Sequence, residues 1–488
     1  MPIHIFTQHC GSSMIIIIEL PSFALFKLWG LSSCDYKSIV NIFVNSIHLL
    51  LKEARNHWLF FMASPLSSVR HQITLPVSLH PLREKSFSFF WLGSILSSIG
   101  FWVQSVGQSW QVLQLTNSAF LLGLVVFAAM VPNIVLSLFG GVIADRVNRR
   151  PLLIGTQSIF MCTAALLGIF TTLQSISVWQ IILMALINGT FNAVGIPAWQ
   201  AFIGDLLEPE QLKQGIALNS MQFNLSRIIG PALGGISIGI FGIAGSYYLN
   251  AISYLAVIIP LLLIHPARKL RLSHQQGIWQ DLREGLNYAR KRPSLQVLLL
   301  LQFLIAFLVF PYAILLPIFA RDIFHLGAPG LGLLNSASGV GALLGAVLLV
   351  LLSQRLEPGR LLLVILGVLG GFASLAFALV NTLDIALVIL IALGACTVMS
   401  SISTNTALQL LTPEKMRGRV LSIWVMTALG LAPFGNLLAG WVAQSLGAPV
   451  TLMIGGSLCA SGALFVAITS KGGKVGTMHP CSSACSRR

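Results

Sequence analysis

Gly141-Val-Ile-Ala-Asp145-Arg146-Val-Asn148-Arg149-Arg150 sets four charges between two long apolar runs. Residues 120–144, which overlap its start, hold no Asp, Glu, Lys or Arg, and neither do residues 152–173 after it. A helix needs about 20 mostly apolar residues to cross the hydrocarbon core of a bilayer. Two uncharged runs of that length joined by a short charged knot read as two membrane-crossing helices and the polar loop between them.

Working outward, the same alternation predicts helices near residues 88–112, 120–144, 152–173, 178–203, 216–240 and 245–264, then near 295–320, 331–353, 360–380, 384–409, 418–443 and 448–470. Composition agrees: 56% of the 488 residues are hydrophobic and 9% charged, with mean hydropathy +0.86, where a soluble domain carries roughly 25% charged residues. The formal charge of +15 would point to nucleic acid in a soluble protein. Here 23 of the 29 Lys and Arg fall on one alternating set of loops and ends. Arg321 alone lies on the opposite set, Arg227 lies inside a span, and the rest precede Met62. Basic loops stay in the cytoplasm, so both termini of the twelve-helix core and its central loop are expected there, and nucleic acid is excluded as a partner.

The expected fold is an all-α membrane protein of twelve transmembrane helices in two six-helix pseudo-symmetric halves, 82–264 and 295–470. A cytoplasmic loop, 265–294, joins them, and a cytoplasmic tail, 471–488, follows. Residues 1–81 form an N-terminal segment whose first 61 residues are expected to be disordered or to precede the true start at Met62. Its apolar stretch Met14–Leu31 is interrupted by Glu19, Pro21 and Lys27, and it lacks a clear signal-peptide pattern. The seven cysteines show no metal-ligand spacing. No phosphate-binding Gly-x-x-x-x-Gly-Lys loop, hydrolase elbow or metal cluster is visible, so neither an enzyme nor a cofactor is expected.

The halves repeat. Glu208-Pro-Glu-Gln-Leu-Lys-Gln-Gly215 precedes span 5 and Thr412-Pro-Glu-Lys-Met-Arg-Gly-Arg419 precedes span 11. Each leads to a glycine-spaced segment, Gly230-Pro231-Ala-Leu-Gly234-Gly235 and Gly435-Asn-Leu-Leu-Ala-Gly440. Internal repeats across a central loop place a transporter's substrate site between its halves. In span 5, Pro231 removes a backbone hydrogen bond and bends the helix, while the glycines allow close packing. Arg227 lies about 16 Å into that span at 1.5 Å per residue. A cation near the bilayer midplane is costly and is read first as functional. No carboxylate lies equally deep, for Asp205, Asp322 and Asp384 all sit near span ends.

Polar residues at helical spacing mark candidate cavity faces: Gln104, Gln108 and Gln111 in span 1; Asn188, Asn192 and Trp199 in span 4; Asn224 in span 5; Asn405 and Gln409 in span 10. Such stripes in lipid must face protein or water, and interhelical hydrogen bonding is the alternative for each. In span 7, Pro311 and Pro317 flank Tyr312, the pattern of a broken gating helix.

The Gly141–Arg150 stretch resembles the loop signature of the major facilitator superfamily, Gly-x-Leu-x-Asp-Arg-x-Gly-Arg-Arg, with Asn148 in place of a glycine as another residue that tolerates a left-handed turn. Gly230–Gly235 resembles the span-5 signature of that superfamily's antiporters. With Pro197-Ala-Trp-Gln and the Asn219–Arg227 spacing, the chain from about Leu82 to Ser470 is similar to the efflux subgroup that includes enterobactin-exporter-like and macrolide-efflux-like proteins. The resemblance implies a conformational latch at Gly141, Asp145, Arg146, Arg149 and Arg150. It also implies alternating access, export of a small amphipathic siderophore or drug, proton-coupled antiport, a bacterial inner-membrane location and a monomer. A nutrient importer of the same fold and a non-transporting membrane receptor are the alternatives.

Overall fold

The computed structural model describes residues 4–10, 13–20, 23–27, 77–264, 284, 286–352 and 358–469, with backbone alone for the strands and for 77–79, 137–146, 415 and 429. The chain forms two units, Met1–Thr74 and Leu75–Arg488. In the first, β1 (His4–Cys10), β2 (Ser13–Leu20) and β3 (Phe23–Lys27) make an antiparallel meander, with His4 opposite Glu19 and Ile16 opposite Lys27. The expected disorder and alternative start fall largely on residues outside those described.

The second unit is helical throughout its described residues. A 3-10 turn, Val77–Arg83, leads into α1 (Lys85–Thr116), α2 (Ala119–Arg146), α3 (Arg149–Thr172) and α4 (Val178–Leu206). Next comes an unbroken helical run, Leu212–Leu263, of 52 residues. At 1.5 Å per residue it would measure about 78 Å, more than twice the hydrocarbon thickness. It is two helices, α5 (212–241) and α6 (243–263), reversed at Gly242, whose φ of 69° and ψ of −179° only glycine adopts readily. The reversal shows in the packing. Along α1, Ser98 meets Gln222 and Trp102 meets Gly230, a parallel run; Gly93 meets Ala256 and Gly107 meets Ser246, an antiparallel one. Eleven helical segments are long and apolar enough to cross a membrane, and this division makes twelve spans.

The second half continues with α7 (Pro293–Ile323), α8 (Ala328–Leu351), α9 (Arg360–Leu379), α10 (Leu383–Leu411), α11 (414–446) and α12 (Ala448–Thr469). Helix α7 is interrupted at Pro311, while Pro317 lies inside a regular helical turn, Tyr312–Ile318. A π-helical segment, Ile305–Val309, precedes Pro311, and a second, Phe319–Ile323, follows Pro317. Helix α11 carries a third, Met426–Gly430, before Pro433. Pro311 and Pro433 each follow a π segment, and their missing N–H frees a carbonyl of the preceding turn; the segment after Pro317 has no such cause.

The ends of the bundle differ. At the end carrying Asn117, Gly242 and Gly447, one core joins the halves: Val106, Trp110 and Ala119 pack in the same cluster as Leu315, Leu316, Phe319, Ala328 and Leu331. At the end carrying Arg150, each half has its own core, Phe87, Phe90, Leu153, Phe202 and Leu261 in one and Leu295, Leu298, Leu363, Leu408 and Val466 in the other. Large apolar side chains such as Leu361 (74% exposed) and Val350 (72%) cover the flanks, as a lipid-facing surface requires.

Candidate functional site

The halves meet along two antiparallel crossings. On one, α5 packs on α8: Gly235 lies against Ala328 and Pro329, Gly332 against the Pro231 carbonyl, and Gly339 against the backbone of Arg227. Ser336 Oγ donates to the Ile228 carbonyl at 2.7 Å. On the other, α11 packs on α2: Gly440 lies against Ala119 and Gly123 against Asn436. A Cβ on Gly440 would stand 2.6 Å from the Ala119 carbonyl oxygen. Glycine at these points lets two backbones touch. Of the segments expected to pack closely, Gly235 and Gly440 touch the opposite half, while Gly230 and Gly234 pack on α1 and Gly435 on α7.

Arg227 sits at the inner limit of the first crossing, where the shared core stops. Its side chain is half-buried and has no hydrogen-bond or ion-pair partner among the described residues. Trp102 flanks it: its side chain rests on Gly230, and its ring lies 6.4 Å from that of Phe223. Trp102 Nε1 is buried and donates to nothing among the described residues. Across the interface, Tyr312 is fully buried, hydrogen-bonded to Ser338 Oγ at 2.5 Å, and within electrostatic range of Arg227. By helical spacing Phe223, Arg227 and Gly230 share one face of α5, and Trp102 of α1 lies against that face.

The polar stripes divide. Gln104 accepts from Asn250 Nδ2 at 2.6 Å, and Gln111 accepts from Tyr247 at 2.7 Å and donates to Thr171 at 3.0 Å. Both are buried between α1 and α6, so their polarity is spent inside the first half. Asn188 accepts from Thr163 at 2.8 Å, Trp199 donates to Asn219 at 3.4 Å, and Asn224 donates to the Ser220 carbonyl at 2.8 Å. Gln409 donates to Asn405 at 2.6 Å, one turn away on α10. Gln108 is half-buried and Asn192 exposed.

The charge knot braces one half. Arg149 Nη1 grips both oxygens of Asp205 at 2.7 and 2.9 Å, tying α3 to the end of α4. Arg150 donates to the carbonyls of Leu261 and Leu262 at 2.5 and 2.6 Å. It caps the C-terminal end of α6, where a cation is favoured. Asn148 is not left-handed. It is extended, at φ −63° and ψ 119°, and its Oδ1 accepts from Arg150 N at 3.3 Å as the N-cap of α3. The side chains of Gly141, Asp145 and Arg146 lie outside the described residues.

Two arginines were missed as structural devices. Arg360 donates to the carbonyls of Val466 and Ala467 at 3.3 and 2.7 Å, the counterpart of Arg150 in the second half. Its place before α9 and the internal repeat were signal enough. Arg321, the one basic residue on its side, reaches across the halves to Asn117 Oδ1 and, at 3.4 Å, to the Leu113 carbonyl, while Asp322 holds its Nε at 2.6 Å.

Comparison with known proteins agrees with this architecture. Residues 77–480 match the family described as transmembrane secretion effector. The chain is 26% identical over 369 residues to the staphyloferrin A transporter of Staphylococcus aureus, covering 75% of this chain and 92% of that protein. It is 28% identical over 390 residues to the enterobactin exporter EntS of Shigella boydii, covering 78% and 90%. Among solved structures, the nucleoside transporter NupG superposes with a TM-score of 0.59 at 13% identity, covering 81% of this chain and 99% of that one. An inward-facing, unoccupied bacterial homolog of the human lysosomal transporter Spinster superposes with a TM-score of 0.57 at 16% identity, covering 80% and 95%. The chain belongs to the transmembrane secretion effector family, a family of major facilitator transporters and not of enzymes.

Proposed function

We propose that this transporter exports a small amphipathic molecule of siderophore or macrolide-like character from the cytoplasm by alternating access. The observation that carries the reading is the asymmetry of the two ends: one core shared by both halves at the Gly242 end, two separate cores at the Arg150 end. The basic loops assign the Arg150 end to the cytoplasm, so the central cavity opens inward in this state. Arg227 and Trp102 form its roof, Tyr312 being buried against Ser338 in the other half, with Gln108, Asn192, Asn405 and Gln409 as further cavity residues. Arg149 and Arg150 hold helix ends so that the half moves as one body, and Asp145 with Arg146 completes the latch. The names of two relatives, a staphyloferrin A transporter and an enterobactin exporter, favour a siderophore.

Proton antiport, which the family resemblance implies, needs a titratable carrier. The sequence places no Asp, Glu or His deep in any span. Everted vesicles test the direction. Energised vesicles containing the protein should accumulate radiolabelled enterobactin or erythromycin at least about tenfold over vesicles without it. No accumulation of either, with uptake of label by whole cells, would show import instead.

A further inference from the structure

Arg227 is the sole formal charge deep in the twelve spans: every other Lys, Arg, Asp and Glu of the sequence lies at a helix end, in a loop or in a terminal segment. Even a half-buried cation near the bilayer midplane favours a counter-charge. Among the described residues the Arg227 side chain has no hydrogen-bond or ion-pair partner. Beside it the Trp102 indole N–H is also buried and unpaired among the described residues. A buried donor with no acceptor is uncommon and costly. Both groups are donors, and both lie along the α1–α5 packing, with Arg227 also at the crossing to α8. An anion would answer both at once, and the neighbouring rings of Trp102 and Phe223 suit an apolar or aromatic body attached to it.

We infer that the substrate is carried as an organic anion, its charge held by Arg227 and Trp102, and that the membrane potential drives its export without a protein-borne proton carrier. The inference rests on the export reading above. The charge accounting is direct. Arg227 stays on the protein, so each turnover moves the substrate's own negative charge out of a cell that is negative inside. That is worth about 50-fold in accumulation per charge per 100 mV, the equivalent of about 2.3 kcal/mol. A transporter placed in this way needs no carboxylate deep in its spans, and Asp145, Asp205, Asp322 and Asp384 all sit near helix ends.

Naphthalene sulfonate, ionised at every accessible pH, and its neutral isostere naphthalene sulfonamide are the probes. In detergent, quenching of tryptophan fluorescence should report the sulfonate binding at least about tenfold more tightly than the sulfonamide. Arg227→Lys should keep that preference and Arg227→Met should abolish it, with both variants checked for membrane insertion and monodisperse elution. In energised everted vesicles, valinomycin with potassium, which removes the potential, should abolish sulfonate accumulation. Nigericin, which removes the pH gradient and leaves the potential, should change it less than twofold. A preference below threefold, including no binding of either probe, overturns the inference, as do an Arg227→Met protein that keeps the preference and accumulation that collapses with nigericin. If enterobactin or erythromycin still accumulates in those vesicles, export stands and only the anion drive falls. If none of the compounds accumulates, the export reading falls with it.

Discussion

The two crossings between the halves are near copies in backbone and unlike in chemistry. In both, glycines of one helix lie against the backbone of an antiparallel partner, α5 on α8 and α11 on α2. The repeat aligns Arg227 of α5 with residues 431–432 of α11, which are Leu431 and Ala432. Where α5 carries a cation, α11 carries only apolar side chains, just past the π-helical segment Met426–Gly430. All three π segments among the described residues lie in the second half. The seal is built twice from one pattern, because closing a cavity needs both sides. The ligand's charge is met once, because a second buried cation would add a desolvation penalty with no second counter-ion. The first half holds the charge on a regular helix, and the second supplies the helices that deform.

That contrast sets an order of effects. Arg227→Met should reduce export at least about 100-fold, the scale of a lost buried charge-assisted contact. Leu431→Ala, at the matching place, should reduce it less than about threefold. Transport in everted vesicles measures both, and equal losses would erase the proposed asymmetry. The seals should instead respond alike. Gly332→Val and Gly440→Val each push a side chain into a partner carbonyl. Overpacking of that kind costs about 1–3 kcal/mol, so each should slow export roughly tenfold by preventing full closure, with the two losses within about threefold of each other. Arg321→Ala removes the tie to Asn117 and Leu113. As a partly exposed contact it should weaken closure of the Gly242 end by only about two- to fivefold, read as faster labelling of a cysteine placed beside Asn117. Smallest for transport is Tyr247→Phe. It removes the donor to Gln111 inside the first half, costs about 1 kcal/mol of stability by thermal melting, and leaves export within twofold of the parent.

How much of this was legible follows the physics of each signal. Twelve spans, their order and a break between residues 240 and 245 follow from length and hydropathy, which depend on lipid thickness alone; that the chain reverses on Gly242 is seen only in its backbone angles. The close crossings followed from glycine spacing, since only a missing side chain lets backbones touch. The helix break at Pro311 followed from its lost N–H, whereas Pro317 sits within a continuous helical turn. The stripes were half legible. Spacing shows that Gln104 and Gln111 share a face, but not which helix lies opposite. Asn250 and Tyr247 on α6 took both, and a polar residue pair on another span was the only hint. Asn148 was read by its tolerance of a left-handed turn and serves by its capping oxygen, two properties of one side chain that the sequence does not separate.

Alternating access itself is tested most directly by locking the end that is closed here. Phe120 N and Gln444 Oε1 stand 3.5 Å apart across the second crossing. In a background lacking the native cysteines, Phe120→Cys with Gln444→Cys should crosslink with a short bifunctional thiol reagent that is cleavable by reduction. The crosslinked protein should export less than about a tenth of the parent's substrate in everted vesicles and recover on reduction, a tenfold change corresponding to about 1.4 kcal/mol. Full export with that end locked would contradict the account.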